Sequence, residues 1–205
     1  MPGRLFLTRD LAKIAAELGA STADLPPHLP RLNIAPGQDI MVLTGDGLRM
    51  MRWGMIPVGR VNARGRPVME TIVNARSETV FDKTAIAGVA RCVVPADGWY
   101  EWIGEKRHKT PWRIAANDGG LLYFAAIYDV WSAPGGVELA QVATVTCPPS
   151  KDVRDVHDRM GVLLEREDIG TWLSGSEAAA RKLLQIWPDG RLEVTSAENV
   201  NWTKT

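Results

Sequence analysis

Apolar positions near the start of the chain fall at helical spacing. Leu11, Ile14, Ala15 and Leu18 share one face, Thr8 stands where a capping hydroxyl belongs, and Gly19 supplies a C-terminal stop, so one short helix is expected here. Residues 21–38 carry Pro26, Pro27, Pro30 and Pro36 and read as an irregular connection ending at Asn33 to Gly37. Ile40–Leu43 and Leu48–Arg52 flank a Thr-Gly-Asp-Gly turn, the signature of a hairpin. A Gly-, Arg- and Pro-rich loop is expected over 57–70, and helical character over Ser77–Ala90. Strand patterns then dominate: Arg91–Pro95, Trp99–Trp102, Trp112–Ala115, Leu121–Trp131 and Glu138–Thr146, with a turn at Gly104–His108 between the second and third. Short helices are expected near Val153–His157, Asp168–Leu173 and Glu177–Gln185, and a last strand at Leu192–Thr195. Strands and helices do not alternate as in a doubly wound sheet, and no repeat is visible. The pattern predicts an α+β fold: one domain over residues 1–205, with a mostly antiparallel sheet curling toward a barrel and short helices at its periphery.

Composition narrows the class. The chain has 205 residues, 45% apolar and 23% charged, which fits a globular domain with its own core and excludes collagenous, disordered and disulfide-framework proteins. No run approaches the ~18 apolar residues of a membrane helix, and the N-terminal apolar stretch is too short for a secretory signal. A cytoplasmic location is expected, with no membrane partner. Cys92 and Cys147 are 55 residues apart in apolar strands and read as buried small hydrophobes. His28, His108 and His157 are scattered, so neither a metal site nor another cofactor is expected.

Net charge is zero, but the charge is unevenly placed. Residues 1–110 hold 15 basic and 11 acidic side chains, and the rest hold 9 and 13. The window Arg49–Arg76 contains six arginines and one acid, Glu70. Arginine's planar fork suits phosphate, so this window is a candidate anion-binding face, with a solvated loop as the alternative.

Four segments place polar groups in apolar surroundings: Met1–Arg4, Val73–Glu78, Asp97–Trp102 and Val156–Met160. Glu101 lies between Tyr100 and Trp102. A carboxylate among tryptophans is desolvated and its pKa rises, which suits proton transfer; an edge-strand glutamate facing solvent is the alternative. Alternation places Glu101 on the same face as Trp99, with Tyr100 and Trp102 on the other. Asn74 reads as a helix cap or a ligand anchor, and His157 as a surface or a catalytic imidazole. Spacing alone defines a carboxylate, an imidazole and a basic loop.

Six segments in order, Gly3–Arg4, Asn33–Pro36, Trp53–Pro57, Asn74–Glu78, Gly98–Trp102 and His157–Met160, resemble the SOS-response-associated peptidase (SRAP) family over nearly the whole chain. The resemblance implies binding of single-stranded DNA, recognition of abasic sites and a place in the DNA damage response. In that family a cysteine exposed by removal of the initiator methionine traps the ring-opened sugar as a thiazolidine. The resemblance assigns Glu101 to proton transfer, Asn74 to holding the terminal residue and sugar, and His157 to sugar opening and reversal. Arg4, Arg76 and Arg159 would meet phosphates, and Trp53 and Trp102 would line the DNA groove.

This chain carries Pro2 where the family has its cysteine, so a thiazolidine cannot form. It also carries Gly161 where proline is usual, which implies a looser His157 loop, and it lacks a tryptophan often found after Pro57. If Met1 is removed, Pro2 presents a secondary amine that can form an iminium with an abasic aldehyde and favour β-elimination, the work of a lyase. If Met1 stays, the chain is a non-covalent binder of abasic or single-stranded DNA. Proteolysis with another nucleophile, a hydrolase reading suggested by the family name, is the third course.

Overall fold

The computed structural model describes residues 2–22, 25–27, 29–57, 71–82, 88–105, 108–132 and 135–203. Two sheets form its frame. In the first, β1 (Arg4–Leu7), β2 (Arg31–Ile34), β7 (Gly98–Glu105), β8 (His108–Ala116) and β13 (Leu192–Ser196) lie in the order β13-β8-β7-β1-β2, all antiparallel. In the second, β3 (Asp39–Thr44), β4 (Gly47–Trp53), β6 (Ala90–Ala96), β9 (Leu122–Ser132) and β10 (Glu138–Cys147) close on themselves: β3 pairs with β4 and β6, β6 with β9, β9 with β10, and β10 with β4. This is the curled, α+β arrangement the pattern predicts. The last contact is parallel, as is that of β5 (Asn74–Arg76) with β10. Short strands β11 (Met160–Gly161) and β12 (Leu163–Leu164) extend the edges of β10 and β9.

The helices are peripheral. α1 (Leu11–Leu18) buries Ile14 and Ala15, and ends at Gly19, whose φ of 64° provides the left-handed cap. Its N-cap is Asp10, whose carboxylate accepts from Ala12 N–H, rather than Thr8. Thr8 donates its backbone N–H and its hydroxyl to Asp97, which also takes the Arg9 guanidinium at 2.6 Å. α2 (Ile169–Ser174) lays Trp172 onto the barrel, where its indole N–H donates to the Cys92 carbonyl. α3 (Glu177–Lys182) follows, capped by Ser176.

Several local readings need correction. Residues 77–82 form turns rather than the start of a helix, and 83–87 lie outside the described residues. Val153–His157 closes as successive turns held by Ser150, again without a helix. The Pro-rich connection contains a true strand, β2, because Arg31–Ile34 can pair with β1 between prolines. Residues 58–70 of the expected basic loop, with Arg60, Arg64 and Arg66, also lie outside the described residues.

Candidate functional site

β10 is the organising strand. Its apolar run is interrupted at alternate positions by Thr144 and Thr146, both fully buried. β5 runs parallel beside it and sets Asn74 opposite Thr144. The Thr144 hydroxyl donates to Asn74 Oδ1 at 2.5 Å, which fixes the amide so that its NH2 end faces the chain start and donates to the Pro2 carbonyl at 3.2 Å. Pro2 is buried. Arg76, two residues on, is exposed.

β7 supplies the carboxylate. Its register with β1 sets Arg4 opposite Tyr100 and Leu5 opposite Trp99, so the chain start runs alongside Glu101. The Glu101 side chain is 5% exposed. Burial pushes its pKa up to about 7; the positive amino terminus and the Trp99 indole N–H act the other way, and Asp158 adds to the rise. At neutral pH the group is divided between acid and carboxylate, so it can both give and take a proton.

The turn after Val153 brings the imidazole. His157 Nε2 stands 4.0 Å from Glu101 Oε2, too far for a direct hydrogen bond and close enough for one reacting atom to touch both. Burial, then the positive amino terminus, hold the His157 pKa below its ordinary value, against Asp158. Nδ1 has two neighbours: Arg159 N–H at 3.0 Å and Asp158 Oδ1 at 2.8 Å. These belong to different states of the ring: a bare Nδ1 accepts from Arg159, whereas a protonated Nδ1, in the neutral ring or the imidazolium, donates to Asp158. The lowered pKa favours the neutral ring, whose Nε2 faces Glu101 as a donor in the first state and as an acceptor in the second.

Arg159 itself is held inward. Its fork makes paired bonds to Glu78 at 2.8 and 2.9 Å, and Nη2 and Nε reach the Thr146 carbonyl and hydroxyl at 2.6 and 3.2 Å. The guanidinium in turn draws the Glu78 pKa down to about 2. Arg4 is half-buried on β1. In the basic window, Arg52 donates to the Gly54 carbonyl and Arg49 pairs with Asp46.

Pro2, Asn74, Glu101 and His157 are thus brought together, with Arg159 beside them. Trp53 is not where the groove reading needs it. Trp53 is 0% exposed and its indole N–H donates to the Val73 carbonyl, so it offers no face to a base. Trp102 lies on the opposite face of β7 from Glu101, packed with Trp202 at 5.1 Å between ring centroids in an outer cluster with Phe6 and Tyr100. Both cysteines are buried and free; burial pushes the Cys92 thiol up and the Cys147 thiol up to about 11, so neither is a ready thiolate. Among the described residues no group of His, Cys, Asp or Glu could hold a metal ion, and no helix is long and apolar enough to cross a membrane. A cleft of about 810 Å³ between α1, the β3–β4 turn and α2 shares no residue with the site. Sequence reading missed Thr144 and Glu78; two polar residues at alternate positions in the buried run of β10 were the available signal for Thr144.

A closed, mostly antiparallel barrel that gathers a chain start, an amide, a raised carboxylate and an imidazole at one edge defines the class of protein. The profile of the SOS response associated peptidase (SRAP) family matches residues 1–201, and the chain belongs to that family. It is similar to the abasic site processing protein YoaM of Bacillus subtilis, 35% identical over 155 residues that cover 72% of this chain and 67% of YoaM. It is also similar to the abasic site processing protein HMCES of Mus musculus, 28% identical over 167 residues that cover 66% of this chain and 47% of HMCES. The fold is shared with a crystal structure from Bacteroides thetaiotaomicron (TM-score 0.80, 22% identity, 96% of this chain and 92% of that one). A second, from Bordetella bronchiseptica, matches with TM-score 0.78 and 24% identity over 96% of this chain and 99% of that one.

Proposed function

We propose that this chain recognises abasic sites in single-stranded DNA as part of a DNA damage response, and processes them through the amine of Pro2 once Met1 has been removed. The observation that supports this reading is the tether from Thr144 through Asn74 to the carbonyl of Pro2, the residue at the sequence position of the family's cysteine; Glu101, on the strand paired with the chain start, and His157 lie 4.0 Å apart.

A free terminal amine titrates near pH ~8, so a useful fraction is neutral at pH 7. Its lone pair attacks the aldehyde carbon of the ring-opened sugar and forms a carbinolamine. Glu101, half protonated at neutral pH, donates a proton to the departing hydroxyl, water leaves, and an iminium cation remains. A secondary amine leaves no N–H on that cation, so the positive charge persists and acidifies the neighbouring C2′ hydrogen. Glu101 as carboxylate, or neutral His157, removes that proton; the electron pair forms the C2′–C3′ double bond as the 3′ phosphate departs with the C–O bond. Water then hydrolyses the conjugated iminium and returns the amine. The product is a cleaved strand, and the chain acts as a lyase. Arg4, Arg76 and Arg159 serve as phosphate contacts.

Borohydride reduction during incubation with an abasic single-stranded oligonucleotide tests this. The expected result is a trapped adduct whose mass includes the chain without Met1, absent when the terminus is acetylated. A free Pro2 terminus that yields neither adduct nor cleaved strand overturns the chemistry. Binding that persists under those conditions then leaves a non-covalent binder.

A further inference from the structure

Trp112 is the indole that stands abreast of the carboxylate. The β7–β8 register sets Glu101 opposite Trp112, and opposed residues of an antiparallel pair share a face, their Cβ atoms about 5 Å apart. Burial falls along that face. Trp99 and its partner Ile114 are fully buried; Glu101 is 3% exposed and Trp112 half-buried; Ile103 and its partner Thr110 are both half-buried. Trp112 therefore lies at the rim where the core gives way to solvent, beside the group that moves protons.

The other tryptophans sharpen the contrast. Trp53, Trp99 and Trp172 are fully buried, Trp187 belongs to the main core, and Trp102 and Trp202 close the outer aromatic cluster. Among the described residues, Trp112 and Trp131 join neither cluster. Trp131 lies elsewhere, near the end of the β9–β10 pairing opposite Leu139. A large amphipathic ring left half exposed at a site is suited to stacking on a ligand's π-face.

We propose that Trp112 is the stacking platform for the nucleobase flanking the abasic sugar, taking the place of the missing neighbour in the stack. This rests on the reading of the site as one for abasic DNA. A base beside a gap has one face exposed, and an indole can cover it whatever the base, with purines gaining more through their larger area.

Binding of single-stranded oligonucleotides carrying the stable tetrahydrofuran abasic analogue, read by fluorescence anisotropy, tests the proposal without a covalent step. The wild-type chain is expected to bind tighter when the flanking base is a purine. Trp112→Ala is expected to weaken binding roughly tenfold and abolish the purine preference. Trp112→Phe keeps part of both, and supports the proposal should the alanine variant fail to fold. Trp131→Ala binds as the wild type does. Wild-type binding with unchanged affinity and purine preference in both Trp112 variants overturns the platform and leaves the abasic reading standing. No wild-type binding to the analogue overturns both.

Discussion

Glu101 is an acid whose ionisation the fold delays to neutral pH. Its pKa, about 7 in the folded chain, stands above the 4.5 of an ordinary glutamate, so between these values the native state holds a proton that the unfolded state has lost. Stability from this group is therefore fully present below pH 4.5 and is lost as pH rises toward 7; above that the buried charge costs about 3 kcal/mol. Glu101→Gln removes the titration. The stability of this variant relative to wild type, measured by urea unfolding, is expected to rise by about 3 kcal/mol between pH 4 and pH 8. A difference independent of pH would show that the carboxylate is solvated. The chemical character of Glu101 was legible in sequence because its neighbours are aromatic and the strand alternates. Trp102, on the opposite face of the same strand, follows from that alternation, whereas the burial of Trp53 depends on contacts with Val73 that no local pattern encodes.

At the scale of elements, long strands and their hairpins were readable from pattern, because each carries enough residues for alternation and turn chemistry to show. The two- and three-residue strands β5, β11 and β12 were not: they exist only because β9 and β10 offer paired edges. Yet β5 and the turn ahead of β11 carry Asn74 and His157, so the assembled site was less legible than its members. Gly161 in β11 shows how tightly that edge is built. A Cβ there would overlap the Phe124 ring, which itself meets Trp99, on the same face of β7 as Glu101, edge-on at 5.6 Å. The glycine does not loosen the strand that follows His157; the phenyl ring fills the space above it. Gly161→Ala is expected to lose roughly 1–3 kcal/mol of stability by overpacking. Phe124→Leu in the same chain should recover part of that loss, as thermodynamic coupling between contacting residues requires. Denaturant midpoints of the two single variants and the double variant measure it, and strictly additive losses would mean that the ring and the glycine do not press on one another.

Across the whole molecule the net charge is zero, so the DNA binding proposed above rests on a local arrangement of arginines. In the free chain Arg159 is already spent on an anion, the Glu78 carboxylate, held in the same forked geometry a phosphate would use. On the proposed reading Glu78 is a built-in competitor: a phosphate arriving at Arg159 would have to displace it, and the gain from one ion pair would be offset by the loss of another. Replacing the carboxylate by an amide removes the competitor's charge while keeping its shape. Glu78→Gln is expected to bind abasic single-stranded DNA more tightly at low salt, and to lose that advantage as salt rises. The slope of log K against log salt should steepen by about 0.7, the counterion contribution of one additional phosphate contact on a single strand. Because the Thr146 carbonyl and hydroxyl still hold Nη2 and Nε, the arginine keeps its position in the variant, so a change in slope reports the exposed edge of the fork rather than a displaced side chain. Identical slopes for the two proteins would assign Arg159 to bracing β10 against the His157 turn, with the phosphate charge met by Arg4 and Arg76 instead.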